Sequence, residues 1–252
     1  MIEAQQLHKQ FYDKKRGKIR AVDGVSFRCE PGRIYGLLGA NGAGKTTTLR
    51  ILATILEPTE GTACVAGYDV VTQPEKVRAS VGFLSTATAL YARLSTREMV
   101  EYFGRLHGLD EATLHRRIAQ IFDRLEMNEF RDRRCDKLST GMKQKVSIAR
   151  TLVHDPPVMI FDEPTLGLDV MTARTIVGFI RECREHGKTV IFSTHVMSEA
   201  EKLCDAIGII HDGRILVEGT LEDLRRRYAQ HDLEEIFVRV VEGETAKAGV
   251  PR

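Results

Sequence analysis

The chain reads as an α/β protein built on a mostly parallel sheet, and three observations predict that class. Apolar runs of strand length, Ile34–Leu38, Val158–Phe161, Thr189–Phe192 and Ile207–Ile210, are separated by segments of helical period. The glycine-rich stretch Gly39-Ala40-Asn41-Gly42-Ala43-Gly44-Lys45-Thr46-Thr47 joins the first run to a helical pattern over Thr46–Leu56. That is the strand–loop–helix context of a phosphate-binding loop. Three helical patterns with no strand between them occupy the middle of the chain, which predicts a helical lobe inserted into the α/β core.

Taken in order, residues 1–31 alternate weakly, with Val22, Val25 and Phe27 inward. The basic run Lys14-Lys15-Arg16-Gly17-Lys18 is a solvated hairpin tip, so this part is an antiparallel β subdomain. Gly61–Gly67 and Ser80–Leu84 read as strands, and Ser85–Ser95, without period and with few charges, as a loop or interaction surface. Helices follow at Thr96–His107, Glu111–Met127, with its stripe Leu114, Ile118, Ile121 and Leu125, and Gly141–Val153. Strand and helix then alternate: Val158–Phe161, helix Val170–Glu185, Thr189–Phe192, helix Met197–Cys204, Ile207–Ile210. This alternation places ligands at the carboxyl ends of parallel strands. Asp212-Gly213 turns the chain into Arg214–Val217, Thr220-Leu221-Glu222-Asp223 is a capping-box start for a last helix, and the tail from Gly243 reads as short and frayed. The expected division is a nucleotide-binding unit over 1–219, its core formed by 1–85 and 155–219 and its helical subdomain by about 86–154. A C-terminal helix and tail over 220–252 complete the chain.

The 252 residues carry 37 basic and 35 acidic side chains, a near balance that gives no reason to expect a nucleic-acid-wrapping surface. Five scattered cysteines form no C-x-x-C pair and read as small buried residues in a reducing compartment. No run approaches the ~18 apolar residues of a membrane span. A cytosolic chain is expected; if it works on a membrane, another polypeptide supplies the spans.

The candidate chemistry sits at loop positions that the strands aim. The glycines Gly39, Gly42 and Gly44 let backbone N–H groups, including those at Asn41 and Thr47, point at phosphate oxygens, aided by the helix N-terminus. Lys45 would reach the β- and γ-phosphates and the Thr46 hydroxyl would ligate Mg²⁺. Asp162-Glu163 ends an apolar strand; Asp162 would hold Mg²⁺ and Glu163 would orient or deprotonate the attacking water. His195 follows another such strand through Ser193-Thr194; a lone His is more often structural, but this position favours a γ-phosphate contact. Ser139, with Gly141, is both an N-cap and an anion site at a helix start, and composition alone favours the cap. Phe11 is either an adenine-stacking ring or a core plug, and spacing favours the plug.

The order of these pieces, GANGAGKTT, LSTGMKQKVSIAR, VMIFDEPTLGLD and FSTHVMSEAEKLCD, resembles the ATP-binding cassette (ABC) family over nearly the whole chain, and the fold implied is a P-loop NTPase core. The resemblance implies an ATP hydrolase that binds ATP and Mg²⁺, a head-to-tail homodimer with ATP held between Lys45 of one subunit and Ser139–Gly141 of the other, and a permease on a separate chain. The protein would then lie peripherally on the cytoplasmic face of the cell membrane. It also turns Phe11 into the adenine-stacking aromatic, places Asp169 in the loop linking the two ATP sites, and makes His195 the γ-phosphate sensor. Two departures stand out. Thr140 and Met142 replace the usual glycine and glutamine of the signature, and Thr86 stands where a Gln that touches Mg²⁺ and faces the membrane partner is usual. Leu90–Met99 and the Gly-Leu-Asp spelling look like the cassettes of ABC-2-type exporters, most similar to sodium-efflux cassettes. The alternative is a soluble cassette ATPase acting on nucleic acid or ribosomes. The short interval between Lys45 and Leu138 leaves no room for a chromosome-type coiled coil, and the single cassette is unlike translation factors. A phosphate-loop kinase or GTPase would leave Ser139–Gly141 without a role, and no Asn-Lys-x-Asp guanine reader is present.

Overall fold

The computed structural model describes residues 1–15, 17–85 and 89–247; Thr86 and Arg16, singled out above, lie outside them. The chain opens with a long hairpin, β1 (Ile2–Asp13) and β2 (Gly17–Cys29), whose inward residues Val22, Val25 and Phe27 are buried. Next come β3 (Ile34–Leu38), α1 (Lys45–Leu52), β4 (Glu60–Val65), the short β5 (Tyr68–Asp69), α2 (Pro74–Ser80) and β6 (Val81–Ser85). The helical block is α3 (Thr96–Leu106), α4 (Glu111–Arg124) and α5 (Thr140–Leu152). Alternation resumes with β7 (Val158–Asp162), α6 (Val170–Glu185), β8 (Thr189–Thr194), α7 (Met197–Leu203), β9 (Ala206–His211) and β10 (Arg214–Gly219), followed by α8 (Leu221–Tyr228) and α9 (Leu233–Lys247).

Two sheets result. An antiparallel sheet has the order β2-β1-β4-β5, and a six-stranded sheet the order β10-β9-β3-β8-β7-β6. In the larger sheet all neighbours run parallel except the β9–β10 hairpin, whose turn residues Asp212 and Gly213 both take positive φ, 45° and 77°. That pair of conformations suits the right-handed twist of a hairpin. β3, β7 and β8 are buried at every position because the sheet is covered on both faces, which is why they read as continuous apolar runs. The period-two alternation survives in three dimensions. Met159, Phe161, Val190 and Phe192 join the core shared with α3–α6, whereas Val158, Ile160, Ile191 and Leu37 join the core shared with α1 and the antiparallel sheet.

The helix ends follow local chemistry. Ser95 and Thr220 form capping boxes with Glu98 and Asp223, each satisfying two otherwise orphan amides. Four expectations are corrected. The helix after the glycine loop ends at Leu52 rather than Leu56, where Thr54 turns to φ 57°. Ser80, expected to open a strand, instead closes the helix Pro74–Ser80, which has proline in its first turn where a missing N–H costs nothing. Leu90 and Leu94, within the expected loop surface, pack against the core. The C-terminal part carries two helices instead of one, and Gly243–Lys247 continue α9 instead of fraying. α9 holds because Leu233, Ile236 and Val240, spaced on one helical face, bury against α7, α8 and β9 residues. Ile236→Ala should therefore lower the unfolding free energy by about 2–5 kcal/mol in urea titration, whereas a detached helix would leave it unchanged.

Candidate functional site

The glycine loop leaves β3 at Gly39 and delivers Lys45 as the first residue of α1. Two glycines are required by space, and Gly44 by its positive φ as well. A Cβ on Gly44 (φ 105°) would lie 2.5 Å from the Ala21 carbonyl oxygen, and one on Gly39 would lie 2.4 Å from that of Ile210. The loop rests on the β9–β10 turn: Gly213 N donates to Ala43 O (2.9 Å) and Asp23 N to Gly213 O (2.8 Å). Arg214 grips the Asp23 carboxylate through Nε at 2.8 Å and also through Nη2, and this guanidinium holds the Asp23 carboxyl below its ordinary range.

Lys45 is 5% exposed and its Nζ donates to Gly39 O (2.6 Å) and Ala40 O (3.1 Å) and pairs with Glu163 Oε1 (2.9 Å). A cavity of about 320 Å³ opens beside it, lined by Asn41, Gly42, Thr46, Thr47, Asp162 and Glu163 among others. Asp162 Oδ1 accepts from Thr46 Oγ1 (3.0 Å) and from Ser193 Oγ (2.9 Å). A hydroxyl and a carboxylate oxygen in contact at a cavity wall are the hard donor set that Mg²⁺ takes, and a loop of inward amides with a buried ammonium suits a polyphosphate. The residues therefore fit Mg²⁺ and a nucleotide triphosphate.

Glu163 turns out of the strand with φ 48°, a left-handed conformation that non-glycine residues adopt at a cost. Its amide donates to Ser193 O (3.2 Å) and Ser193 Oγ (3.1 Å). The carboxylate is thereby aimed between Lys45 and His195, whose Nδ1 lies 2.7 Å from Glu163 Oε2. Lys45, Thr46, Asp162 and Glu163 thus meet at one cavity wall, and His195 joins them through Glu163. Ser193, in the sequence only the link that leads to His195, bonds both the Asp162 carboxylate and the Glu163 amide. The available signal was a hydroxyl at the end of an otherwise apolar buried strand. Ser85, expected to open the loop after β6, is instead the 8% exposed last residue of that strand and lines the same cavity.

Other candidates lie apart from that wall. Ser139 is exposed and caps α5, accepting from Met142 N (3.3 Å). Asp169 caps α6, accepting from Met171 N and Thr172 N at 3.0 Å each and from Thr172 Oγ1 at 2.7 Å. The Thr172 hydroxyl bond is the chief reason its carboxyl titrates below the usual range. Thr172 also bridges toward the signature, since a Cβ on Gly141 would stand 3.3 Å from its Oγ1. Phe11, 40% exposed on β1 with the Lys9 ammonium over its ring, is a surface ring instead of the core plug that spacing favoured. Ser139, Gly141, Asp169 and Phe11 do not line the phosphate cavity.

Known proteins agree with this arrangement. The family model of the ABC transporter matches residues 22–166. The chain is 42% identical over 239 residues to the ABC transporter ATP-binding protein NatA of Bacillus subtilis (strain 168), covering 94% of this chain and 97% of that protein. It is 38% identical to the Nod factor export ATP-binding protein I of Paraburkholderia xenovorans (strain LB400), covering 89% and 74%. Among solved structures, an ATP-binding subunit of an ABC transporter superposes with a TM-score of 0.86 at 30% identity, covering 96% of this chain and 99% of that one. The cassette MJ0796, as a dimer in a post-hydrolysis state bound to ADP and Pi, superposes at 0.78 with 26% identity, covering 87% and 98%. With a phosphate loop and a strand-end acid pair meeting at one cavity wall, and a strand-end histidine bonded to the second acid, the chain belongs to the ABC transporter family.

Proposed function

We propose that this ABC ATPase is the subunit that powers an exporter, working as a head-to-tail homodimer on the cytoplasmic face of a membrane, with the spans supplied by a separate permease. The observation that carries the reading is the convergence of Lys45, Glu163 and His195 beside the phosphate loop. The loop amides and Lys45 hold the β- and γ-phosphates, the ammonium exchanging its carbonyl and carboxylate partners for phosphate oxygens. Thr46 and Asp162 hold Mg²⁺, which when bound neutralises phosphate charge as the γ-phosphoryl group is transferred. Glu163 accepts a proton from the water whose oxygen attacks the γ-phosphorus, and the bond from that phosphorus to the bridging oxygen breaks to leave ADP. His195 orients the Glu163 carboxylate and senses the γ-phosphate. Phe11 stacks on the adenine.

Ser139 and Gly141 reach the nucleotide of a second copy. This is supported by their distance from the chain's own phosphate cavity, by the exposed helix start they form, and by the dimeric state of the related cassette. Asp169, capping α6 beside Thr172 and Gly141, lies on the same face.

The permease docks in a groove of about 580 Å³ lined by Ile55, Phe83, Phe103 and Leu106. Ile55 and Leu106 are 55% and 67% exposed there, an apolar patch of the kind that marks a protein interface. No helix among the described residues is long and apolar enough to cross a membrane. Because Leu90 packs inward, the groove residues are the better probes. Ile55→Glu with Leu106→Glu should release the protein from membranes that contain its permease and leave ATP affinity unchanged in a nucleotide-binding assay.

Glu163→Gln should retain ATP affinity and lower kcat by about 10²–10⁴-fold, with an ATP-closed dimer persisting in size-exclusion chromatography. Lys45→Ala should weaken ATP binding itself. Turnover by Glu163→Gln close to that of the unmodified protein would remove Glu163 from the role of base.

Ser139→Arg should leave ATP affinity of the monomer intact and block ATP-driven dimerisation. Mixed with Lys45→Ala it should regain ATPase activity, because one site of the mixed dimer joins two intact halves. Loss of monomer binding in Ser139→Arg would mean that the segment acts on its own subunit's ATP.

A further inference from the structure

Two segments that bracket the hydrolytic centre share one acceptor that the mechanism above does not use. Thr165 Oγ1 donates to Glu199 Oε2 at 3.1 Å, and Thr194 Oγ1 donates to the same oxygen at 3.0 Å. Thr165 belongs to the tight turn between Glu163 and Asp169, closed by Leu166 N to Glu163 O (3.1 Å) and Leu168 N to Thr165 O (3.2 Å). Thr194 is the last residue of β8, immediately before His195. Its hydroxyl also accepts from Val196 N (2.9 Å), so the short bend that carries His195 is pinned on both sides. Glu199 itself is half-buried in the first turn of α7.

We propose that Glu199 is a positioning residue that fixes the Glu163–Asp169 turn to the His195 bend, so that the base, its histidine and the segment facing the second subunit keep one geometry. The proposal rests on the roles given to Glu163 and His195 above. Its physical basis is that one carboxylate oxygen satisfies two hydroxyl donors from different chain segments. A displacement of His195 is therefore transmitted to Thr165 through two hydrogen bonds, instead of through the longer path along β7 and β8. An acid in the first turn of a helix can also serve only the helix dipole. That bland role needs neither threonine and does not touch turnover, so kinetics separate the two.

The test is steady-state ATPase kinetics of the full chain, with ATP affinity and thermal melting measured on the same samples. Glu199→Ala should lower kcat by about tenfold to a hundredfold, the scale of a misplaced catalytic group, with KM and ATP affinity within about threefold of the unmodified protein. Glu199→Gln, whose amide oxygen can accept both hydroxyls, should restore kcat to within about threefold. Thr165→Val should lower kcat by itself and add nothing to Glu199→Ala, because both remove the same link. The proposal is overturned by an undiminished kcat in Glu199→Ala, by Glu199→Gln being as impaired as Glu199→Ala, or by multiplicative effects in the double variant. Should Glu199→Ala fail to fold, Thr165→Val decides alone, and an unchanged kcat there sinks the idea. Glu163→Gln run in parallel separates the two levels. Turnover by that variant defeats the assignment of the base, whereas normal turnover by Glu199→Ala defeats only the link.

Discussion

Everything at the nucleotide end of the molecule depends on β8 lying parallel to, and in register with, two partners at once. Ser193 stands opposite Leu37 of β3 on one side and opposite Asp162 of β7 on the other. Because parallel strands end together, the phosphate loop leaving β3, the acid pair leaving β7 and the histidine leaving β8 emerge side by side. The hydroxyl of Ser193 then converts register into chemistry, donating to Asp162 while accepting from the Glu163 amide. A slip of one residue would reverse every side chain between the two covered faces, and burial of large apolar groups on both faces, Phe161 and Phe192 on one and Leu37 and Ile191 on the other, forbids it.

The wall so formed holds opposed charges close together under partial burial. Lys45 and Glu163 are 5% and 13% exposed and 2.9 Å apart. Charges taken out of water need partners, and here each has more than one: two loop carbonyls for the ammonium, the His195 ring for the carboxylate. Such a pair holds the site together while leaving the ammonium free to change acceptors, since its attachments are hydrogen bonds from one flexible side chain. The positive φ of Glu163 belongs to the same design. Its backbone strain is held by two hydrogen bonds to Ser193 and turns the carboxylate toward the cavity instead of into the core.

Most of the architecture was legible because the signals were local. Val158–Phe161 announces a strand covered on both sides, Thr220–Asp223 announces a helix start, and the glycine loop announces its own surroundings. What escaped was set by contacts between distant segments. α9 carries Leu233, Ile236 and Val240 at helical spacing, but a glycine and several charges dilute the pattern, and its order comes from packing on α7, α8 and β9. Leu90 and Leu94 sit in a stretch without period, and only the helical block beside them makes them core. At the site, Lys45 was readable from the glycine loop, and Asp162, Glu163 and His195 from strand ends. Ser193 was not, because a serine in a strand declares its role only when its neighbours' registers are known.

The seat of the phosphate loop has a consequence for how the chain comes to be folded. Ala43 receives a hydrogen bond from Gly213, Gly213 receives one from Asp23, and Arg214 closes on Asp23 from across the turn. Residues near the start of the chain are therefore shaped by residues that leave the ribosome much later. Contacts of such long sequence separation are slow to form, because the intervening loop must close first. During synthesis the loop sequence is complete early but has nothing to rest on until the β9–β10 hairpin arrives. The capacity to hold nucleotide is thus acquired late and all at once, so an interrupted chain ending before that hairpin carries the motif without its support.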